Sequence, residues 1–99
     1  MAEIYHQVLL KIRADADPAA VEEAFIAVDA MRAIEGVTEL VAGPDVSIEG
    51  LTQGHTHAVL VRLADAAARD RYMTHPLHLA VAPLMEPLLD GATVVDLEA

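Results

Sequence analysis

The side chains best suited to chemistry are concentrated in one short segment, RYMTHPLHLAV at residues 71–81. This segment contains Tyr72, His75 and His78 around Pro76, although the whole chain has only two tyrosines and five histidines. An imidazole exchanges protons near neutral pH, and a phenol can donate a hydrogen bond to a developing negative charge. The segment therefore indicates general acid–base chemistry.

Pro76 determines how these side chains are presented. Because proline has no amide hydrogen and disfavours helical dihedrals at the residue before it, we predict a break with His75 near the N-cap of a new helical piece. His78 then lies in the first turn of that piece, where the positive end of the helix dipole disfavours an imidazolium. We expect His78 to be neutral at pH 7, as a proton acceptor must be, and we interpret His75 as structural.

Two further histidines begin two similar apolar segments, HQVLLKIRAD from His6 and HAVLVRLAD from His57. Both segments have the length and the branched apolar residues of a β-strand. Because side chains alternate between the faces of a strand, His6 shares a face with Val8, and His57 shares one with His55 and Val59. We expect adjacent strands, with His6 and His57 side by side on the helix-covered face. Each must find a partner there, since an unpartnered imidazole is costly in an apolar layer.

The remaining pattern places these strands in one domain over residues 1–99. A helix is predicted from the N-cap Asp17 with Pro18 at its first position, and a second helix begins after Asp65. Apolar side chains recur at helical spacing in the first helix, at Val21, Phe25, Val28 and Met31. Gly36 is a reasonable helix stop. Further strands are predicted at about 38–43, 55–63 and 92–98, with a loop over 43–54 and a turn at Asp90-Gly91. The order β-α-β-β-α-β predicts a ferredoxin-like α+β fold, with both helices on one face of the sheet.

Composition favours a homodimer and excludes several other partners. Of the 99 residues, 55% are hydrophobic, more than one small core readily absorbs. The uncovered sheet face carries apolar residues such as Leu9 and Leu60, and a second copy is the simplest cover. The net charge of −10 disfavours nucleic acid and anionic membranes, and the lack of cysteine excludes disulfides and thiolate sites. With no stretch long enough for a membrane span and no basic leader, we expect a cytoplasmic protein that needs no cofactor.

Taken together, the segments around His6, GVTELVAGPDVS, GHTHAVLVRLAD, RYMTHPLHLAV and VVDLE resemble the stress-responsive dimeric A/B barrel (Dabb) family over nearly the whole chain. The resemblance implies homodimers of ferredoxin-like subunits whose sheets face each other in a barrel. One plant branch of this family is a polyketide cyclase that closes poly-β-keto chains by aldol condensation. Its pattern implies Tyr72 and His78 as the catalytic pair, with His6 and His57 lining the substrate pocket. That branch has a further tyrosine on the first helix, where this chain has Ala27 and Val28.

Three hypotheses follow for function. In the first, neutral His78 removes an α-proton from a small enolisable carbonyl compound, Tyr72 hydrogen-bonds His78 or the enolate oxygen, and His6 and His57 orient carbonyl groups, as in a cyclase or lyase. In the second, the protein is a non-catalytic, stable dimer or a small-molecule-binding protein, and the histidines satisfy one another and backbone groups in the core. In the third, His6, His55 and His57 hold a zinc ion, although no helical or thiolate ligand pattern supports a metal site.

Overall fold

A computed structural model describes residues 2–99 and gives one four-stranded antiparallel sheet covered on one side by helices. The elements, in chain order, are β1 (Ile4–Ile12), α1 (Pro18–Ala30), β2 (Val37–Pro44), β3 (His57–Leu63), α2 (Ala66–Thr74), α3 (Pro76–Leu79), α4 (Ala82–Met85) and β4 (Leu89–Glu98). Short 3₁₀ turns follow α1 and α4, at Met31–Ala33 and Glu86–Leu88. The strand order β2-β3-β1-β4 confirms the predicted ferredoxin-like fold.

The core lies between the helices and one face of the two central strands. Ile4, His6 and Leu10 of β1 are buried on this face, and Val61 of β3 is paired with His6. Ala24 and Val28 of α1 and Ala68 and Tyr72 of α2 pack onto this layer. The alternation along β1 and the apolar stripe of α1 therefore have the orientation that the sequence predicted.

Local capping signals place the two long helices correctly. The Asp17 carboxylate accepts a hydrogen bond from the amide of Ala19 at 3.0 Å, and Pro18 is the first helical residue. The Asp65 carboxylate accepts from the amide of Ala68 at 2.8 Å. Both aspartates satisfy amides that have no partner inside the helix, so both predicted helix starts are confirmed.

Two predicted strand boundaries are wrong. β3 begins at His57 rather than His55, because the amide of His55 donates to the carbonyl of Thr52 in a turn and is lost to the sheet. β4 begins at Leu89, so that Asp90 and Gly91 belong to a strand instead of a turn. A bulge opposite Ile12 lets this extra length pair with β1.

The sheet face away from the helices is largely apolar and uncovered. We call it the open face, and it comprises Tyr5, Leu9, Val41, Ala58, Leu60, Val95 and Leu97 together with the polar residues between them. Val41 on the edge strand β2 is 56% exposed and Leu97 on the opposite edge strand β4 is 55% exposed, so large apolar side chains are open to solvent at both edges of this face. Within residues 2–99, no helix combines the length and the hydropathy that a membrane crossing requires.

Gly36 is the position where the backbone leaves least room for a side chain. Its φ angle is +97°, and a Cβ atom there would lie 2.7 Å from the Cβ of Ala68 on α2. We expect Gly36→Ala to lower the free energy of unfolding by about 2–4 kcal/mol, from left-handed strain plus overpacking. Urea denaturation at one fixed protein concentration measures this change.

The matched control is Gly50→Ala, at a residue with φ +72° and no atom within 4 Å of the added Cβ. This variant carries the backbone strain without the clash, so we expect a loss of about 1 kcal/mol. Equal losses for the two variants would contradict the close approach of α2 to the turn before β2.

Candidate active site

A pocket of about 280 Å³ lies between the helix-covered face of the sheet and the helical segments from α1 to the turn after α4. Most of its wall is aliphatic, and its ionisable side chains are those of His6, Tyr72, His78 and Glu86. The lining residues are His6, Val8, Leu10, Val28, Met31, Val59, Tyr72, His78, Val81, Ala82, Met85, Glu86, Leu89 and Ala92. The structure therefore brings together three of the four predicted site residues, His6, Tyr72 and His78.

His6 is buried, with 4% of its surface exposed, and it is paired with a carboxylate. Its Nδ1 lies 2.7 Å from Oδ1 of Asp96, the residue directly opposite it on β4. The other oxygen of Asp96 accepts a hydrogen bond from Arg69 Nη1 at 3.1 Å. Partial burial raises the pKa of Asp96, but the hydrogen bonds and charges of His6 and Arg69 outweigh burial and hold that pKa below its ordinary value.

This pairing fixes which nitrogen of His6 faces the pocket. A carboxylate only accepts hydrogen bonds, so Nδ1 of His6 carries the proton and Nε2 of the neutral ring has a free lone pair. Among residues 2–99, Nε2 has no hydrogen-bond partner, and no side-chain nitrogen or oxygen is both fully enclosed and unpartnered. Nε2 of His6 therefore has access to the pocket.

The predicted break at Pro76 is present and orients His78. His75 has extended dihedrals (φ −67°, ψ 139°), and its Nδ1 accepts a hydrogen bond from the amide of Leu77 at 3.0 Å. After this turn, Nδ1 of His78 donates to the carbonyl of Met73 at 3.1 Å. The ring of His78 thus has the same tautomer as His6, with Nε2 as its acceptor atom.

His78 is held in its neutral form by burial. Desolvation lowers its pKa below the ordinary value, the hydrogen bond to Met73 opposes this shift, and the charge on a protonated His6 adds to it. The predicted direction is confirmed, but the main cause is not the helix dipole that we invoked, since α3 is only four residues long.

Tyr72 lies between the two histidines and forms a wall of the pocket. Its ring centroid is 4.6 Å from that of His78 and 5.5 Å from that of His6, which it meets edge-on. Burial raises the pKa of Tyr72 to about 12, so the phenol is neutral and can donate at pH 7. Its hydroxyl donates to Sδ of Met31 at 3.4 Å, a weak acceptor that a ligand oxygen could replace.

The prediction that His57 lies beside His6 is wrong. β1 and β3 run antiparallel, so His6 is opposite Val61 and His57 is opposite Leu10. This register separates the two histidines by roughly 13 Å along the sheet. His57 instead packs its ring 5.3 Å from Phe25, and its Nδ1 contacts the hydroxyl of Thr56 at 2.8 Å. A substrate-binding role for His57 stays a prediction.

His55 is also far from the pocket. Its ring contacts the carbonyl of Thr52 at 2.8 Å and the hydroxyl of Thr93 at 3.1 Å, on the side of the open face. The three histidines of the zinc hypothesis are therefore not assembled, and within residues 2–99 no three histidine or acidic side chains are arranged to hold a metal ion.

Sequence reasoning missed Asp96 and Arg69, which orient His6 from behind. A signal existed in the segment VVDLE, because Asp96 lies between two aliphatic residues of a predicted strand and its carboxylate is available for a buried histidine. Its pairing with His6 depends on the register between the first and last strands of the chain, which no local pattern specifies.

Comparison with known proteins identifies the architecture. The model of the Stress responsive A/B Barrel Domain (Dabb) matches residues 4–99. The stress-response A/B barrel domain-containing protein HS1 of Arabidopsis thaliana is 39% identical over 54 residues, which is 54% of this chain and 50% of that protein. The match thus spans about half the length of this relative.

Solved structures extend the similarity over the whole chain. A dimeric ferredoxin-like protein of unknown function from Jannaschia sp. CCS1 has 28% identity and a TM-score of 0.87, covering 98% of this chain and 99% of that one. The hydroxynitrile lyase of Passiflora edulis also gives a TM-score of 0.87, with 98% and 93% coverage. Its identity is only 17%, so this likeness concerns the fold alone.

The environment of His78 predicts its titration. We expect NMR titration of its imidazole to give a midpoint below about 6.5 in the folded protein and a return to about 6.5 in denaturant. Since the unfolded chain binds this proton more readily, His78 stabilises the fold fully above about pH 6.5, and this contribution is lost as the pH falls. A folded midpoint above that of the denatured chain would contradict the partly buried placement of His78.

Proposed function

Because the chain belongs to the stress responsive A/B barrel domain (Dabb) family, we propose that it is a homodimeric enzyme of the cyclase or lyase type. It acts on small enolisable carbonyl compounds, including poly-β-keto compounds, by general acid–base catalysis. The pocket lined by His6, Tyr72 and His78 is its active site.

One observation carries this proposal. Two imidazoles, His6 and His78, line the same pocket and have their Nδ1 atoms committed to acceptors outside it, so Nε2 is the nitrogen of each ring that has no partner within residues 2–99. Histidines that satisfied only one another in a core would be joined by a hydrogen bond, and none links these two within residues 2–99, although the bond of His78 to the backbone carbonyl of Met73 also fits a non-catalytic core.

We assign one step to each group. His78, neutral near pH 7, takes the α-proton at Nε2, and the electron pair of the broken C–H bond moves into the carbonyl as an enolate. The phenol of Tyr72 leaves Met31 and donates a hydrogen bond to the enolate oxygen. Nε2 of His6 exchanges a proton with the other end of the substrate, and Asp96 stabilises the imidazolium that forms during this exchange.

The open face supports the homodimer. Leu9, Val41, Leu60, Val95 and Leu97 lie on neighbouring strands and are partly or mostly exposed, although they would pack well against a second apolar sheet. The similar protein from Jannaschia sp. CCS1 is described as dimeric. The active site lies on the opposite side of the sheet, so a partner on the open face leaves its pocket free.

The second candidate is a non-catalytic stable dimer that binds a small molecule. The contact of the Tyr72 hydroxyl with Met31 favours it, because this donor is already satisfied without a ligand. This candidate keeps the pocket and its binding properties but predicts no proton transfer, which separates the two experimentally.

Proton transfer can be tested without knowing the natural substrate. We expect the protein to accelerate α-proton exchange of uncharged β-dicarbonyl compounds such as acetylacetone in D2O, followed by NMR. His78→Ala should lower the catalysed rate by roughly 10²–10⁴. Tyr72→Phe should lower it less, while Tyr5→Phe makes the same change on the open face and should keep the rate.

A matched pair of aspartates tests the orientation of His6. Asp96→Asn can present an amide N–H to Nδ1 and invert the tautomer, so we expect a large loss of exchange. Asp70→Asn removes an exposed carboxylate that also contacts Arg69, and it should retain most of the activity. Equal exchange rates for Asp96→Asn and Asp70→Asn, or full activity of His78→Ala, would contradict the proposed mechanism. A loss of exchange activity in His57→Ala would support the predicted substrate-binding role of His57.

The homodimer makes a separate prediction. Val41→Asp places a carboxylate on the open face, so we expect light scattering to show a shift from twice the mass of one chain towards one chain mass. Ile26→Asp makes a similar change at a residue of α1 that is 64% exposed, and should remain dimeric. Dissociation by Ile26→Asp alone would place the interface on the helices instead.

A further inference from the structure

The charged groups around the pocket are predominantly negative. Glu86, in the 3₁₀ turn after α4, is exposed and lines the pocket, and neither lysine nor arginine is among the lining residues in the described part of the chain. A second carboxylate, that of Asp96, stands directly behind His6. The protein as a whole has a net charge of −10.

The arginine beside this site is already neutralised. Arg69 donates to Asp70 at 3.0 Å and to Asp96 at 3.1 Å, so its guanidinium is shared between two carboxylates. An anionic ligand would therefore meet no unpaired cation from Arg69, and the pair of His6 and Asp96 has no net positive charge even when His6 is protonated.

From these positions we infer that the pocket selects uncharged carbonyl compounds over carboxylates of the same size, and that Glu86 is a residue that determines this specificity. The inference rests on the proposed function for the identity of the ligand as a carbonyl compound, but it concerns binding rather than turnover. It identifies the substrate class as a neutral ketone, aldehyde, ester or amide.

The physical reason is desolvation without compensation. A carboxylate that enters this largely aliphatic pocket loses hydration that only a cation or several hydrogen-bond donors could replace. The pocket offers only the hydroxyl of Tyr72 as a donor among the described residues. Glu86 adds like-charge repulsion at the opening, where solvent screens it only in part. An uncharged carbonyl needs one hydrogen bond and apolar contact, both of which the pocket provides.

The size of the pocket agrees with a small ligand. Its volume of about 280 Å³ is close to the lower end of the range for small-molecule pockets. A longer poly-β-keto chain would place only its reacting end inside.

Acetoacetamide and acetoacetate make a suitable pair of probes, since they differ in charge and hardly in shape. Each is titrated into the full-length protein at neutral pH, and binding is followed by the NMR shifts of the His6 and His78 rings. We expect acetoacetamide to bind about tenfold more tightly than acetoacetate. In Glu86→Gln this ratio should fall by roughly threefold or more.

Glu49→Gln is the control, because it removes the same charge from an exposed loop residue outside this pocket. The ratio should then stay within about twofold of the original, since distant exposed charges are screened. Equal or tighter binding of acetoacetate, an unchanged ratio in Glu86→Gln, or no shift of either ring would overturn the inference. Selective binding without proton exchange would support the inference on selectivity and contradict the enzymatic proposal. Proton exchange without selective binding would support the enzymatic proposal and contradict the inference on selectivity.

Discussion

The structure depends on the constraint that a buried imidazole must have its N–H paired. His6 lies in an apolar layer with 4% exposure, and its partner, Asp96, comes from the opposite end of the chain. Because this hydrogen bond joins the first strand to the last, it requires β4 to pair with β1 in one register. The same bond leaves the second nitrogen of His6 facing the pocket, so the requirement of folding also produces the chemical feature of the site.

Features that depend on neighbours in sequence were predictable. Asp17-Pro18 and Asp65 specify helix starts through contacts between residues that are close in sequence. Pro76 interrupts the helix because its ring removes the amide hydrogen. Alternation along β1 correctly placed His6 on the covered face. The resemblance to the A/B barrel family was also recognisable, since it rested on motifs spread over the whole chain.

Features that depend on the register between distant strands could not be predicted from the sequence. His6 and His57 begin similar segments, but antiparallel pairing places the start of one strand beside the end of the other. Asp96 was missed for a related reason, because its partner is 90 residues away. His55 was wrongly predicted to lie in β3, because its amide donates to the carbonyl of Thr52 in a turn and strand propensity does not reveal this hydrogen bond. The candidate site thus follows from the sequence in its residue types, and only the fold shows which of them meet.

The alternation of β4 has a consequence for how this protein can change over evolution. Asp96 faces His6, while its neighbours Val95 and Leu97 point to the open face. A single-residue deletion or insertion in this strand before Asp96 would rotate the carboxylate outward and bring an aliphatic side chain against the imidazole. Lineages that acquired such an indel would keep the scaffold and leave His6 without its carboxylate in one event, so descendants with and without this hydrogen bond can differ by one codon.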